Sequence, residues 1–346
     1  PLFFATHSIF KLSKLSDYEI GKKGRITHPV VVYEGRNHYE EISWEDAFNM
    51  IGNELKSLPS PNEAIFYTSG RTSNEAAFLY QLFARKYGTN NLPDCSNMCH
   101  ESSGVALTET LGIGKGSVTL EDFNHSELVI VIGQNPGTNH PRMLTALGET
   151  KKRGGKIITI NPLPEVGLMR YKDPQNPFKW VGKGQKLTDI FLQVKINGDV
   201  ALLKIILKLL WKEEQKSPGS IFDLEFINSN TLGYDDFIKD LESYSIEELI
   251  PLTGIKFEII KDAATLIAAK KKIIICWAMG LTQHKNSVDN IREVVNLLLV
   301  KGSIGKKGAG TCPVRGHSNV QGDRTMGIWE KPKKSFLVNL EKEFHF

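Results

Sequence analysis

The chain is poor in cysteine, with four in 346 residues. Four thiols over that length do not make the framework of a disulfide-stapled secreted fold, and a reducing, cytoplasmic compartment is the expectation. No C-x-x-C pair occurs, so a zinc or iron–sulfur site built within the chain is not expected. No apolar run approaches the ~20 residues that span a bilayer. The segment 202–211 is too short and is broken by Lys204 and Lys208. A basic-then-apolar export signal is missing from the start. The G-x-G-x-x-G fingerprint is missing as well, so a nicotinamide cofactor is not supported. Neither sign of charge dominates: 43 basic and 39 acidic residues leave a formal net charge of +4. That balance singles out neither nucleic acid nor a membrane surface as a partner.

What is present is a hydrophobic fraction of 40%, enough for a sizeable core in two domains or one large one. Apolar spacing predicts helices over 42–58, 73–88, 102–112, 139–154, 199–215, 255–270 and 287–302. The first has Ser43 as its cap and Ala47, Met50, Ile51 and Leu55 on one face. Short apolar runs predict strands over 63–70, 127–136, 156–162 and 271–280. Loops are expected at 173–178 and 216–220. Strand, helix and strand follow one another within roughly 35 residues, which predicts a βαβ unit. The fold class is therefore α/β, with a parallel sheet flanked by helices on both faces. The basic runs 151–156 and 270–272 read as solvated helix ends that complement the helix dipole.

Four stretches carry chemistry. In IGQNPGTNHP (132–141) a buried strand ends at Gly133 and a helix is expected near His140, with Pro141 in its first turn. In a parallel sheet this is the ligand-binding edge; Asn135 offers an amide, and free helix N–H groups favour a phosphate. An ordinary βα turn explains the same residues. CPVRGHSNVQGDRTMG (312–327) is too polar for a core and reads as a solvated or ligand-wrapping loop. Within it Arg315 has the fork to clamp a carboxylate or phosphate, and Arg324 reads as a surface residue. AMGLTQH (278–284) follows another strand, placing Gly280 and Gln283 at a second carboxyl edge or in a plain turn. PDCSNMCHESSG (93–104) concentrates Cys95, Cys99 and His100. Cys99 precedes an expected helix start, where amide dipoles stabilise a thiolate, as nucleophile or as soft ligand to a metal brought by a cofactor. A structural cysteine is the competing reading.

Taken in order, GRITHPVVVYEGRNHYEEISWEDAF, SGRTSNEAAFLYQLFARKYGTNN, CSNMCHESSG, GQNPGTNHP, AMGLTQH and PVRGHSNVQG resemble the catalytic subunits of molybdopterin oxidoreductases, the dimethyl-sulfoxide-reductase superfamily. The branch they resemble most is that of formate dehydrogenase alpha subunits. The resemblance covers nearly the whole chain, most loosely over 165–250. It implies a fold like domains 1–3 of that superfamily. The expected divisions are 1–94 as the first part of a discontinuous α/β domain, 95–317 as the pterin-dinucleotide domain, and 318–346 as the start of the return. It implies Cys99 as the protein ligand to molybdenum or tungsten, His100 as a proton acceptor near its pKa at neutral pH, and Arg315 as the arginine that orients the substrate carboxylate. Gly133, Asn135, His140 and Pro141 match the segment around the guanine dinucleotide of one pterin, and Asn161 follows the next strand. Arg71, Met279, Gly280, Gln283, Gly316, Asn319, Gln321 and Gly322 match other pterin-contacting stretches. The implied cofactor is Mo-bis(molybdopterin guanine dinucleotide), or its tungsten counterpart.

The chain opens on Pro1 and closes on Phe346 as a fragment of a longer protein is expected to. The family's 4Fe–4S cysteines are expected upstream and the domain gripping the second pterin downstream. The implied partners are a small-molecule substrate such as formate and an electron-transfer subunit. Three positions depart from the formate dehydrogenase pattern: Asn97 for a common arginine, Glu101 for glycine, and Asn161 for an acidic residue. They motivate an alternative, a catalytically degenerate pterin- or nucleotide-binding relative or scaffold. An unrelated α/β nucleotide-binding domain would keep Cys99 and Arg315 far apart.

Overall fold

A computed structural model describes residues 2–172, 182 and 184–345. The loop expected at 173–178 lies outside the described residues. The chain divides into two compact units, Pro1–Thr68 with Asn74–Pro93 and Arg324–Phe346, and Ser69–Ser73 with Asp94–Asp323.

In the first unit Ser43 caps the helix Trp44–Ser57, accepting from the Asp46 N–H. The helix forms as its propensity and cap require, yet Met50 and Ile51 on its apolar face are exposed. The helix Asn74–Tyr87 buries Ala77 and Ala84 against Phe66, Leu92 and Ile328. Arg85 is buried on the same helix and donates to the carbonyls of Gly327 and Trp329 at 2.9 and 3.1 Å. Arg324 lies over the Trp329 ring. The strand expected at 63–70 does not form. Pro61–Glu63 is a 3-10 turn, and Ala64 and Phe66 are buried while Ile65 and Tyr67 are exposed. The alternation is that of a strand, but the segment pairs through an isolated bridge at Thr68 and Phe66 N–H to Asn91 O, at 2.9 Å, which is short of a ladder.

The second unit is built on five strands: β1 (Leu128–Ile132), β2 (Lys156–Ile160), β3 (Ile190–Leu192), β4 (Ile273–Trp277) and β5 (Gly310–Pro313). Their order across the sheet is β3-β2-β1-β4-β5, and all neighbours are parallel. β1 and β4 are buried at every position, which is why they read as unbroken apolar runs. Leu128, Ile130 and Ile132 face the helices Glu101–Leu111, Asp199–Lys216, Phe257–Ala268 and Ser287–Val300. Val129 and Val131 point the other way, to Leu144 and Leu147 of the helix Met143–Lys152. The α/β expectation holds, with helices on both faces of a parallel sheet. Lys204, which interrupts the apolar helix 199–216, is buried and ion-paired with Asp240 and Glu293. Lys151 is not a free helix end: it pairs with Asp189 at 2.7 Å.

The helix expected over 139–154 is two helices, Pro136–Asn139 and Met143–Lys152. Pro141 lies between them rather than in a first turn, and a residue before proline is steered away from helical backbone, as His140 is at φ −138°.

Ile130 stands opposite Ile158 and Ile275 in the middle of the sheet and is 1% exposed. Ile130→Ala is expected to lower unfolding free energy by about 2–5 kcal/mol through lost burial and a residual cavity. Ile196→Ala, at a position 78% exposed, is expected to change it by less than about 0.5 kcal/mol. Urea unfolding midpoints check both.

Candidate functional site

All five strands run the same way, so the segments that leave β1, β2, β4 and β5 emerge at one edge. After β1, Gly133 turns the chain at φ +55°, and its N–H reaches back to Ile160 O at 2.9 Å. After β4, Gly280 donates to Gly133 O at 3.0 Å. A Cβ on Gly133 would stand 2.7 Å from the Gly280 carbonyl carbon, so only glycine permits this crossing. Asn135 uses its Oδ1 to cap the turn that follows, accepting from Thr138 N at 3.3 Å. Asn161, after β2, donates to Leu163 O at 2.8 Å. Met279 is 41% exposed beside Gly280.

Cys99 closes the short helix Ser96–Cys99, and His100 joins it to the helix Glu101–Leu111. The segment after β4 fixes this turn. Thr282 Oγ1 donates to Cys99 O, and Gln283 Nε2 donates to Met98 O at 3.0 Å. His100 is 1% exposed. Its Nε2 lies 3.0 Å from Val314 O and its Nδ1 2.9 Å from Ser103 Oγ. Val314 continues β5, donating to Trp277 O at 2.8 Å, so Arg315 is delivered beside the Cys99–His100 turn. Its guanidinium acts electrostatically on both. Cys99 and Arg315, 216 positions apart in sequence, are thus neighbours, and the reading of an unrelated fold that separates them does not hold.

His140 belongs to the same neighbourhood. It acts electrostatically on His100 and lies against the Arg315 main chain. Its Nδ1 is 3.2 Å from Gln134 Nε2. Gln134 is 3% exposed. Its Oε1 is buried and completes no hydrogen bond among the described residues. Spacing gave no sign of Gln134, because burial of a polar side chain is a property of the packed fold. The remaining matched residues form a second group. Arg71 Nε donates to His317 Nδ1 at 3.1 Å. Asn319 ties the two segments together, its N–H to Gly70 O and its Nδ2 to Thr72 O, both 2.7 Å. Gln321 and Gly322 lie in the helix Val320–Thr325, so 312–327 is part strand, part loop and part helix. Gly316 and Pro141 are exposed. Asp323, beneath Asn319, is buried; burial first, then the nearby Asp94, pushes its carboxyl up to about 6.

Desolvation dominates the electrostatics. Burial raises the Cys99 thiol, with Cys95 adding to it, and the opposing pull of Arg315 is smaller. The thiolate expected from helix dipoles is therefore not the resting state: Cys99 ends the helix Ser96–Cys99, whose carboxyl end disfavours a negative sulfur, and burial disfavours charge more than the start of the helix Glu101–Leu111 supports it. His100 is pushed down to about 4, by burial first and Arg315 next. An imidazole near its own pKa at pH 7 does not describe this fold; His100 is neutral there. Unfolded, the ring takes a proton near 6.5. Between pH 6.5 and 4 the unfolded chain binds more protons than the folded one, so this residue makes stability fall as pH falls through that window, by about 3 kcal/mol in total. Asp323 acts in the opposite sense, its contribution being lost as pH rises toward 6. The difference between wild type and His100→Gln isolates the histidine: wild type is expected to lose more stability from pH 7 to pH 4, by urea unfolding at each pH.

The profile of the molybdopterin oxidoreductase family matches residues 25–335. An uncharacterized oxidoreductase of Mycobacterium tuberculosis is 52% identical over 342 residues, 99% of this chain and 44% of that protein. The alpha subunit of an F420-dependent formate dehydrogenase 1 of Methanococcus maripaludis is 31% identical over 309 residues, 89% of this chain and 42% of the subunit. The chain thus spans a little under half the length of these relatives. Acetylene hydratase from Pelobacter acetylenicus has a similar fold, with TM-score 0.64 and 22% identity over 83% of this chain and 36% of its own. The ordered motifs, the parallel sheet with its furnished carboxyl edge, and a profile match over most of the sequence agree: the chain belongs to the molybdopterin oxidoreductase family.

Proposed function

We propose that the full polypeptide is a molybdopterin-dependent oxidoreductase that removes two electrons from a small anionic substrate such as formate, releasing carbon dioxide. The observation that carries this reading is the convergence of Cys99, His100 and Arg315 on one sheet edge.

The residues fit a pterin-bound metal. Among the described residues no group of three or more His, Cys, Asp or Glu could hold a metal ion, so a metal here would arrive with most of its own ligands and take Cys99 as the protein sulfur. The buried, unsatisfied Gln134 Oε1 is a polar atom that a polar ligand would satisfy. A Cβ on Gly316 would meet nothing within 4 Å, leaving room beside Arg315. When bound, the molybdenum or tungsten pterin supplies the two-electron acceptor.

The chain's own residues would do the rest. Arg315 holds the substrate carboxylate through its planar fork. His100 is the proton acceptor implied by the resemblance; its Nε2 faces a carbonyl and its Nδ1 lone pair is held by Ser103 Oγ, so it would take a proton at Nδ1 only by displacing that hydroxyl. Gly133, Asn135, His140, Pro141 and Asn161 would line the guanine dinucleotide of one pterin. Arg71, Met279, Gly280, Gln283, Gly316, Asn319, Gln321 and Gly322 would meet other parts of the cofactor. A 4Fe–4S cluster held outside this chain, an electron-accepting subunit and a cytoplasmic setting complete the proposal, supported by the resemblance alone.

The test is metal and pterin analysis of the full-length protein from molybdenum-replete cells, with formate-dependent dye reduction. Stoichiometric metal and pterin are expected. Cys99→Ala is expected to remove metal and turnover while the fold survives. Arg315→Lys, which keeps charge but loses the fork, is expected to lower kcat/KM about 100-fold. A folded full-length protein free of metal and pterin would overturn the proposal. Cofactor bound without turnover of any small donor would favour the degenerate relative.

A further inference from the structure

We infer that Ser103 and Trp277 are positioning residues for Arg315: with His100 they close a buried ring of hydrogen bonds that fixes the main chain just before the guanidinium. Trp277 is the last residue of β4, and Ser103 stands in the first turn of the helix Glu101–Leu111; both are fully buried. Trp277 Nε1 donates to Ser103 Oγ at 2.9 Å. Ser103 Oγ lies 2.9 Å from His100 Nδ1, and His100 Nε2 lies 3.0 Å from Val314 O.

Donor and acceptor roles admit one assignment for a neutral ring. The Val314 carbonyl only accepts, so Nε2 carries the proton. Nδ1 must then accept, so Ser103 donates its hydroxyl hydrogen to it and keeps a lone pair for the indole N–H. The main-chain N–H of Val314 donates to Trp277 O at 2.8 Å. Both polar groups of Val314 therefore lead to Trp277, one directly and one through two side chains.

A buried indole needs an acceptor in any fold, and a serine in a helix can turn its hydroxyl to a backbone carbonyl. Either need alone would end at Ser103. The ring instead continues through a histidine in a defined tautomer to the residue preceding Arg315. Removing the Ser103 hydroxyl would leave two buried nitrogens unpaired and free the imidazole that holds Val314 O to shift.

The catalytic consequence rests on the reading of Arg315 as substrate anchor; the ring does not. The experiment uses full-length protein with 15N-labelled histidine, comparing wild type, Ser103→Ala, Ser103→Thr and, as a second route, Trp277→Phe. Ring nitrogen shifts are expected to show His100 as the Nε2–H tautomer throughout, with Nδ1 a hydrogen-bonded acceptor in wild type and Ser103→Thr and an unbonded one in Ser103→Ala. Amide exchange in a peptide covering 314–316 is expected to quicken at least about fivefold in Ser103→Ala and Trp277→Phe. KM for formate is expected to rise about tenfold with a smaller change in kcat. An Nδ1 shift unchanged in Ser103→Ala, or unchanged exchange at 314–316 in both Ser103→Ala and Trp277→Phe, overturns the inference. The Nδ1 and exchange changes in a protein that does not turn over formate uphold the ring and count against the proposed substrate instead.

Discussion

A sheet whose strands all run one way gathers the ends of distant segments at a single edge, and this constraint builds the candidate site. β1 and β4 lie side by side in register over five residues each, so the chain leaves them at the same height. Gly133 and Gly280 then meet backbone to backbone. That contact aims the next segments: one carries Gln134 and His140, the other carries Thr282 and Gln283 to the Cys99 turn. β5, paired on the far side of β4, brings Arg315 to the same place. The site is a by-product of strand direction and two missing Cβ atoms.

Within that edge, dehydration and charge compete, and dehydration is ahead for Cys99, His100 and His140. The shift at His100 corresponds to about 3 kcal/mol between its two protonation states. Cys99 stays a thiol although Arg315 opposes its burial. The protein alone therefore presents a neutral sulfur, a neutral imidazole and one cation. Ionising Cys99 needs further positive charge, which is what a bound metal ion supplies to a coordinating thiol.

The sequence made the periodic parts of this arrangement readable. β1, β2 and β4 are apolar runs because both their faces are covered, and the helices 44–57, 74–87, 101–111, 199–216 and 287–300 carry caps, glycine stops or apolar stripes. The pairing of Cys99 with His100 stood out because cysteine is scarce. Where the reading failed, a local pattern lacked a non-local partner or acquired one. The alternating segment 63–70 has no ladder, and Lys151 finds Asp189 38 positions away. Ser103 and Trp277 gave no signal, because 174 positions separate them and neither residue type is unusual in a helix or a strand.

The departures from the formate dehydrogenase pattern have local tasks. Asn97 accepts the Asp94 N–H at 2.9 Å, and its own N–H reaches Asp94 Oδ1 at 3.2 Å, so it closes the turn that carries Cys95 and Cys99. An arginine cannot make this reciprocal pair, since its side chain has no acceptor. Glu101 occupies the first turn of the helix 101–111, where a carboxylate complements the helix dipole and a glycine would weaken the helix. Together the two changes remove one cation and add one anion within two residues of Cys99. Under the proposed function, an anionic substrate would then depend more on Arg315 for positive charge, and so on the placement of that residue's main chain.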